Sequence, residues 1–74
     1  MEVRYEAYDV AWKIVCDEKR VEKIKKTPHK KIGERIEGII TAVCREEKVK
    51  LTEEERKVTR MFLHKKMRER GIIL

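Results

Sequence analysis

The fold is decided by the stretch IGERIEGIITAVC, residues 32–44. Its branched aliphatic residues recur at i, i+4, i+7, i+8 and i+11, within an arc of about 100° on a helix. They are Ile32, Ile36, Ile39, Ile40 and Val43. Outside that arc lie Glu34, Glu37, Thr41 and Arg45. The pattern predicts a central amphipathic helix onto which the segments before and after it fold back.

The composition indicates a small, ordered, all-α protein. Its 74 residues suit one domain over residues 1–74, and 46% of them are charged. Seven Val and eight Ile at helical spacing favour packed helices over a disordered charged chain. A chain of this length buries only about 60% of its unfolded surface, so its core is thin and self-association would stabilise it.

A first helix is predicted over residues 2–26, a stretch without Gly or Pro. Its aliphatic stripe consists of Val3, Ala7, Val10, Ile14 and Val21. A second stripe, on roughly the opposite side, consists of Tyr5, Tyr8 and Trp12. Two explanations are open. Each helix of a three-helix bundle contacts two neighbours, which requires a wide apolar arc. Alternatively, the aromatic stripe contacts a second copy of the chain, because aromatic residues are enriched at interfaces.

A second helix is predicted over residues 28–47, because Thr27 followed by Pro28 resembles an N-cap and a first-turn proline. Basic residues in that first turn would oppose the helix dipole, and a bound phosphate would remove the conflict. The alternative is that Gly33 delays the start of the helix and leaves the lysines in a solvated loop.

A third helix is predicted over residues 53–70 and completes a three-helix bundle. Thr52 and Glu55 form a capping box, and Gly71 suits the position after the last turn. The predicted core face of this helix consists of Val58, Met61 and Phe62. The apolar tail, residues 72–74, must either pack on the bundle or bind a partner.

The net charge of +6 is concentrated in two segments. Residues 19–35 and 56–74 each carry +6, whereas residues 1–18 and 36–55 each carry −3. Concentrated basic segments suit a polyanion, although pairing of acidic with basic helices inside the fold would produce the same pattern. The predicted nucleic-acid contacts are Lys23, Lys25, Lys26, His29, Lys30, Lys31, Arg56, Lys57, Arg60, His64 and Arg68.

These observations favour a protein that binds DNA, RNA or a ribonucleoprotein mainly through phosphates, with weak sequence specificity. Exposed aromatic residues are not interleaved with the basic ones, which argues against stacking of single-stranded bases. The competing interpretation is a helical interaction module without nucleic acid. It would be a homodimer or an adaptor for another protein, with Tyr5, Tyr8 and Trp12 as its interface.

The sequence contains no recognisable motif for catalysis, cofactors or small-molecule substrates, so neither an enzyme nor a cofactor is expected. Cys16, Cys44, His29 and His64 lack the short ligand spacing of a zinc site. In a hairpin of the first two helices the cysteines would be offset by about 9 Å along the axis, beyond disulfide reach. Both are therefore expected to be buried free thiols.

The residue types that are absent indicate a source and a location. Ser, Asn and Gln do not occur, while Lys, Arg and Glu are abundant. This composition is typical of proteins from thermophiles and suggests an archaeal source. The first residues lack the apolar core of a signal peptide, and the longest uncharged run, residues 38–44, is too short to span a bilayer. We therefore expect a cytoplasmic protein that does not enter membranes.

Overall fold

The computed structural model describes residues 5–73, which form four α-helices and one 3₁₀ turn. The prediction of an all-α fold is confirmed, but the prediction of three helices is wrong because the first helix is broken in two. The parts of the first helix and of the tail that were predicted before residue 5 and at residue 74 lie outside the described residues. The elements are α1 (Tyr5–Val15), α2 (Glu18–Lys26), the 3₁₀ turn (His29–Lys31), α3 (Ile32–Glu47) and α4 (Glu53–Glu69).

The break between α1 and α2 is made by Asp17. Its side chain accepts hydrogen bonds from the backbone N–H groups of Lys19 (3.0 Å) and Arg20 (3.3 Å), so it is the N-cap of a new helix. The guanidinium of Arg20 then pairs with both Asp17 and Glu46 of α3. This pairing holds α2 against α3, so α1 does not continue into α2 as one straight helix.

The connection from α2 to α3 also differs from the predicted one. The hydroxyl of Thr27 donates backwards to the carbonyl oxygen of Lys23 at 2.6 Å, so Thr27 ends α2 and does not begin α3. Pro28 precedes the 3₁₀ turn, and α3 begins only at Ile32. The α-helix thus begins four residues later than predicted, after a 3₁₀ turn that starts at His29 and contains Lys30 and Lys31. These lysines lie neither in the predicted first α-helical turn nor in the solvated loop of the alternative.

The hydrophobic core lies between α1, α3 and α4, with one residue from α2. The aliphatic stripe predicted for α3 is confirmed, since four of its five members are buried and Ile32 packs at the edge. The stripe predicted for α1 is buried at Ala7, Val10 and Ile14. The buried apolar residues are Ala7, Val10, Ala11, Ile14, Val15, Ile24, Ile36, Ile39, Ile40, Val43, Cys44, Leu63 and Met67.

Helix α4 packs closely against α1 and runs in the same direction. The hydroxyl of Thr59 lies 2.9 Å from the carbonyl oxygen of Ala7 and 2.9 Å from that of Glu55, so this buried polar group has its hydrogen bonds. Further along both helices, Tyr8 meets Phe62. The alanines of α1 have small side chains, which allows the two backbones to approach.

The predicted core face of α4 is correct at Phe62 only. Met61 is 62% exposed and Val58 is half-buried, whereas Thr59, Leu63 and Met67 are buried. The helix is rotated from the predicted orientation because the internally satisfied Thr59 hydroxyl allows a polar residue to face the core. Phe62 packs at the edge of the core.

The predicted ends of α4 are confirmed. The backbone N–H of Thr52 donates to the Glu55 carboxylate at 2.9 Å, and the N–H of Glu55 donates to the Thr52 hydroxyl at 3.1 Å. At the other end Gly71 has φ +71°, and the N–H of Ile72 donates to the carbonyl oxygen of Met67 at 2.8 Å. Ile72 and Ile73 then pack on the core.

Candidate nucleic-acid interface

The first group of predicted binding residues forms an exposed segment, which we call the basic elbow. It covers residues 23–35, from the last turns of α2 through the 3₁₀ turn to the first turn of α3. Its basic side chains are Lys23, Lys25, Lys26, His29, Lys30, Lys31 and Arg35, all of them exposed. Its one acidic residue is Glu34.

The charge of the basic elbow is largely uncompensated within the described part of the chain. Lys25 lies 3.8 Å from Glu22, and Arg35 donates to the hydroxyl of Thr27 at 3.3 Å. The other basic side chains of the elbow form no ion pair with described residues. Glu34, within the elbow, forms no ion pair with described residues, while Glu46 and Glu47 at the far end of α3 pair with Arg20 and Lys13.

Helix dipoles act differently on the two halves of the elbow. Lys23, Lys25 and Lys26 lie in the last turn of α2, where the negative end of the helix stabilises cations. Lys30 and Lys31 immediately precede α3 and therefore lie at its positive end, where a cation is disfavoured. A bound phosphate would interact favourably with both these lysines and the N-terminal N–H groups of α3.

A shallow groove of about 250 Å³ opens beside the elbow. Lys31 and Arg35 line it together with Thr27, Pro28 and the exposed position Gly38. A Cβ atom at Gly38 would have no neighbour within 4 Å, so the groove is open at this point. An oxyanion in the groove would lie close to these two cationic side chains, and also to the carboxylate of Glu34, which lines the groove as well.

The second group of predicted binding residues lies on α4, and two of its arginines bind Glu37 of α3. The carboxylate of Glu37 accepts hydrogen bonds from Arg56 at 2.8 Å and from Arg60 at 2.6 Å. Arg56 also donates to the hydroxyl of Thr41 at 2.8 Å. Burial opposes ionisation of Glu37, but the hydrogen bonds and positive charges of the two arginines outweigh it and lower its pKa.

His64 continues the row of basic residues on α4 but is half-buried. Burial lowers its pKa, and the neighbouring charges of Arg68 and Arg60 lower it further. Both effects disfavour the charged form of its imidazole. Lys57 and Arg68 are exposed.

The two predicted groups lie on different sides of α3. Arg35, from the basic elbow, and Glu37, which holds the α4 arginines, are two residues apart and so project about 160° apart on the helix. The sequence alone does not reveal the contact of the second group with Glu37, which is 19 residues from Arg56 and 23 from Arg60. The basic elbow is therefore the more coherent site.

A separate surface, which we call the aromatic face, consists of Tyr5, Tyr8 and Trp12 of α1 with Met61 and Phe62 of α4. The ring centroids of Tyr8 and Trp12 lie 5.3 Å and 5.9 Å from that of Phe62, in edge-to-face geometry. More than a third of Tyr8 and of Trp12 nevertheless stays exposed, and Tyr5 is 84% exposed. The contact with a second helix is thus present, but it covers only part of the aromatic stripe.

Basic side chains of α4 lie against this face. The Nζ atom of Lys66 is 5.4 Å from the centroid of the Trp12 ring, and the guanidinium carbon of Arg70 is 5.8 Å from it. The premise that exposed aromatic residues are remote from basic ones is therefore wrong. The signal was missed because the two sets come from helices at opposite ends of the chain.

The remaining candidate groups offer little chemistry. Both cysteines are free, but Cys16 is exposed and only Cys44 is buried, where desolvation raises the pKa of its thiol although the charge of Arg56 opposes this. Across residues 5–73 no three His, Cys, Asp or Glu side chains converge as metal ligands would. No helix within the same range combines the length and apolarity needed to cross a bilayer.

Comparison of the chain with models of known families, with curated proteins and with solved structures gives no match.

Proposed function

We propose that the protein binds nucleic acid through phosphate contacts made by the basic elbow. The observation that carries this proposal is the set of exposed lysines without an acidic partner among the described residues, in a protein that pairs other cations across its helices. Pairing inside the fold explains Arg20, Arg56 and Arg60. It does not explain Lys23, Lys26, Lys30 and Lys31.

The expected mode of binding follows from the chemistry of these side chains. An ammonium group is a compact point charge on a flexible stem, suited to phosphate oxygens of either DNA or RNA. Phosphate contacts carry little sequence information, so affinity should vary little between sequences. Four or five contacts predict a slope of about −4 for the logarithm of the binding constant against the logarithm of the salt concentration on duplex DNA.

The α4 residues have a smaller part in this proposal. Glu37 neutralises much of the charge of Arg56 and Arg60, leaving Lys57 and Arg68 as the exposed cations of that row. Reversing Arg56 would also break hydrogen bonds to α3. Its effect on binding would therefore be mixed with an effect on stability.

The test is a titration of labelled duplex DNA and of structured RNA at 50 mM salt, with a charge-matched control. The variant Lys30→Glu/Lys31→Glu should weaken binding more than tenfold. The control Arg45→Glu/Lys48→Glu changes the net charge equally at exposed positions outside the elbow and should have a much smaller effect. If both variants lost affinity equally, the effect would come from net charge and not from the basic elbow. Absence of binding by the wild type would reject the proposal.

A helical interaction module is the second candidate function. The observation that favours it is that all large hydrophobic residues exposed in the described part of the chain, Tyr5, Tyr8, Trp12 and Met61, lie on the aromatic face. Sedimentation equilibrium of the wild type, with Tyr5→Asp as the disrupting variant, would reveal self-association through this face.

A further inference from the structure

We propose that the aromatic face is a second nucleic-acid surface, which binds single strands by stacking their bases on Tyr5, Tyr8 and Trp12. This extends the proposed function from the basic elbow to a different side of the molecule. The two sites make separate contacts, so either can fail without the other.

The first argument is where the aromatic residues lie. The chain contains one Trp, one Phe and two Tyr, and all four side chains are on the aromatic face. The core contains none of them and is built from aliphatic side chains with one Met and one Cys. A small protein with a thin core gains most from burying its largest side chains, so the exposure of Tyr5, and of more than a third of Tyr8 and Trp12, requires another explanation.

The second argument is their spacing. Tyr5, Tyr8 and Trp12 follow one another at i, i+3 and i+7, so they form one row along α1, rising about 4.5 Å and then 6 Å along the axis. Phe62 packs against the rings of Tyr8 and Trp12 in edge-to-face geometry. The first ring is almost fully exposed and available for stacking.

The third argument is the charge around the rings. Lys66 and Arg70, at the C-terminal end of α4, lie over the Trp12 ring. Lys65 lines the same surface beside Met61 and Phe62. The nearby acids are Asp9, Glu54 and Glu69, of which Glu69 lies 3.5 Å from Lys66. The face thus combines aromatic rings with cations, as single-strand binding surfaces do.

The same charges make a second copy of the chain a poorer occupant. An isologous dimer would bring the cations of two identical faces together. It would also bury Lys66 and Arg70, which lie over the Trp12 ring near the middle of the face, and would remove them from water. A polyanion would instead supply phosphates to those cations and bases to the rings.

The experiment uses Trp12, the single tryptophan of the chain, as the probe. Titration of the full chain with a 15-nucleotide oligothymidine should quench its fluorescence, because a base stacked on or beside the indole changes its surroundings. Tyr5→Leu keeps an apolar side chain but removes the ring, and should weaken binding by about 5- to 100-fold. Tyr5→Phe keeps the ring and should bind within about threefold of the wild type. Both replace an exposed side chain, so both should retain the fold.

Several outcomes would overturn the proposal. Oligothymidine binding without quenching of Trp12 would place the strand elsewhere, and equal affinities of the Leu and Phe variants would exclude stacking on Tyr5. A dimeric wild type that Tyr5→Asp dissociates would make the face an interface between copies. The variant Lys30→Glu/Lys31→Glu separates the two proposals, because it should lose affinity for duplex DNA. In that background, Tyr5→Leu should still bind oligothymidine more weakly than Tyr5→Phe.

Discussion

Replacing Glu37 with Gln removes the acid that holds two arginines of α4 against α3. The carboxylate accepts from Arg56 at 2.8 Å and from Arg60 at 2.6 Å, and all three side chains are partly exposed. Partly exposed ion pairs contribute about 0.2–1 kcal/mol each, so Glu37→Gln should lower the free energy of unfolding by about 0.5–2 kcal/mol. For a chain of this size that corresponds to a Tm lower by roughly 2–15 °C, measured by circular dichroism at pH 7.

The pH dependence supplies a second readout of the same ion pairs. Burial raises the pKa of Glu37, but the hydrogen bonds and charges of the two arginines lower it by more. Its pKa in the folded protein therefore lies below that in the unfolded chain. A carboxyl with a lowered pKa stabilises the fold above its unfolded value, about 4.3, and loses that contribution as the pH falls through the folded value. The difference in Tm between wild type and Glu37→Gln should therefore be full at pH 7 and shrink in acid below about pH 4.

A matched control separates the ion pairs from the charge itself. Asp9 is exposed and has no ion pair among the described residues, so Asp9→Asn removes the same charge without breaking a contact. Its Tm should remain close to that of the wild type. Equal melting of wild type and Glu37→Gln at pH 7, or a difference that persists unchanged into acid, would refute the assignment of stability to these pairs.

Two other predictions concern the backbone and the thermal stability. Lys48 follows α3 in a left-handed conformation at φ 56°, so Lys48→Gly should raise the free energy of unfolding by about 0.5–1 kcal/mol in guanidinium titrations. Gly71, at φ +71°, is the opposite case. A Cβ atom there would clash with nothing, so Gly71→Ala should lower the free energy of unfolding by about 1 kcal/mol through backbone strain alone. A gain for Gly71→Ala would contradict this account. The absence of Ser, Asn and Gln predicts a Tm above the usual range of about 45–65 °C, and a melt within that range would remove the support for a thermophilic source.

The sequence by itself determined the features that depend on neighbouring residues. The helical character of α3 and its buried stripe follow from a spacing repeated every three or four residues. Both ends of α4 follow from side chains and a glycine that act within four residues of the terminus. The break before α2 has a local signal as well, the cap at Asp17, but the apolar spacing continues across it. Contact between Arg20 and Glu46 supports the observed turn, and that contact joins residues that are 26 apart.

Only the tertiary structure decided which charged and aromatic residues are available for binding. The basic segments are visible in the sequence, but Glu37 removes two arginines from one of them while no described acid does so for most of the basic elbow. Helix packing likewise brings Trp12 under Lys66 and Arg70 and rotates α4 so that Met61 faces solvent. Hydrogen bonds of a helix and its caps reach about four residues along the chain, whereas ion pairing and burial depend on the rotation and direction of helices that meet only in the folded protein.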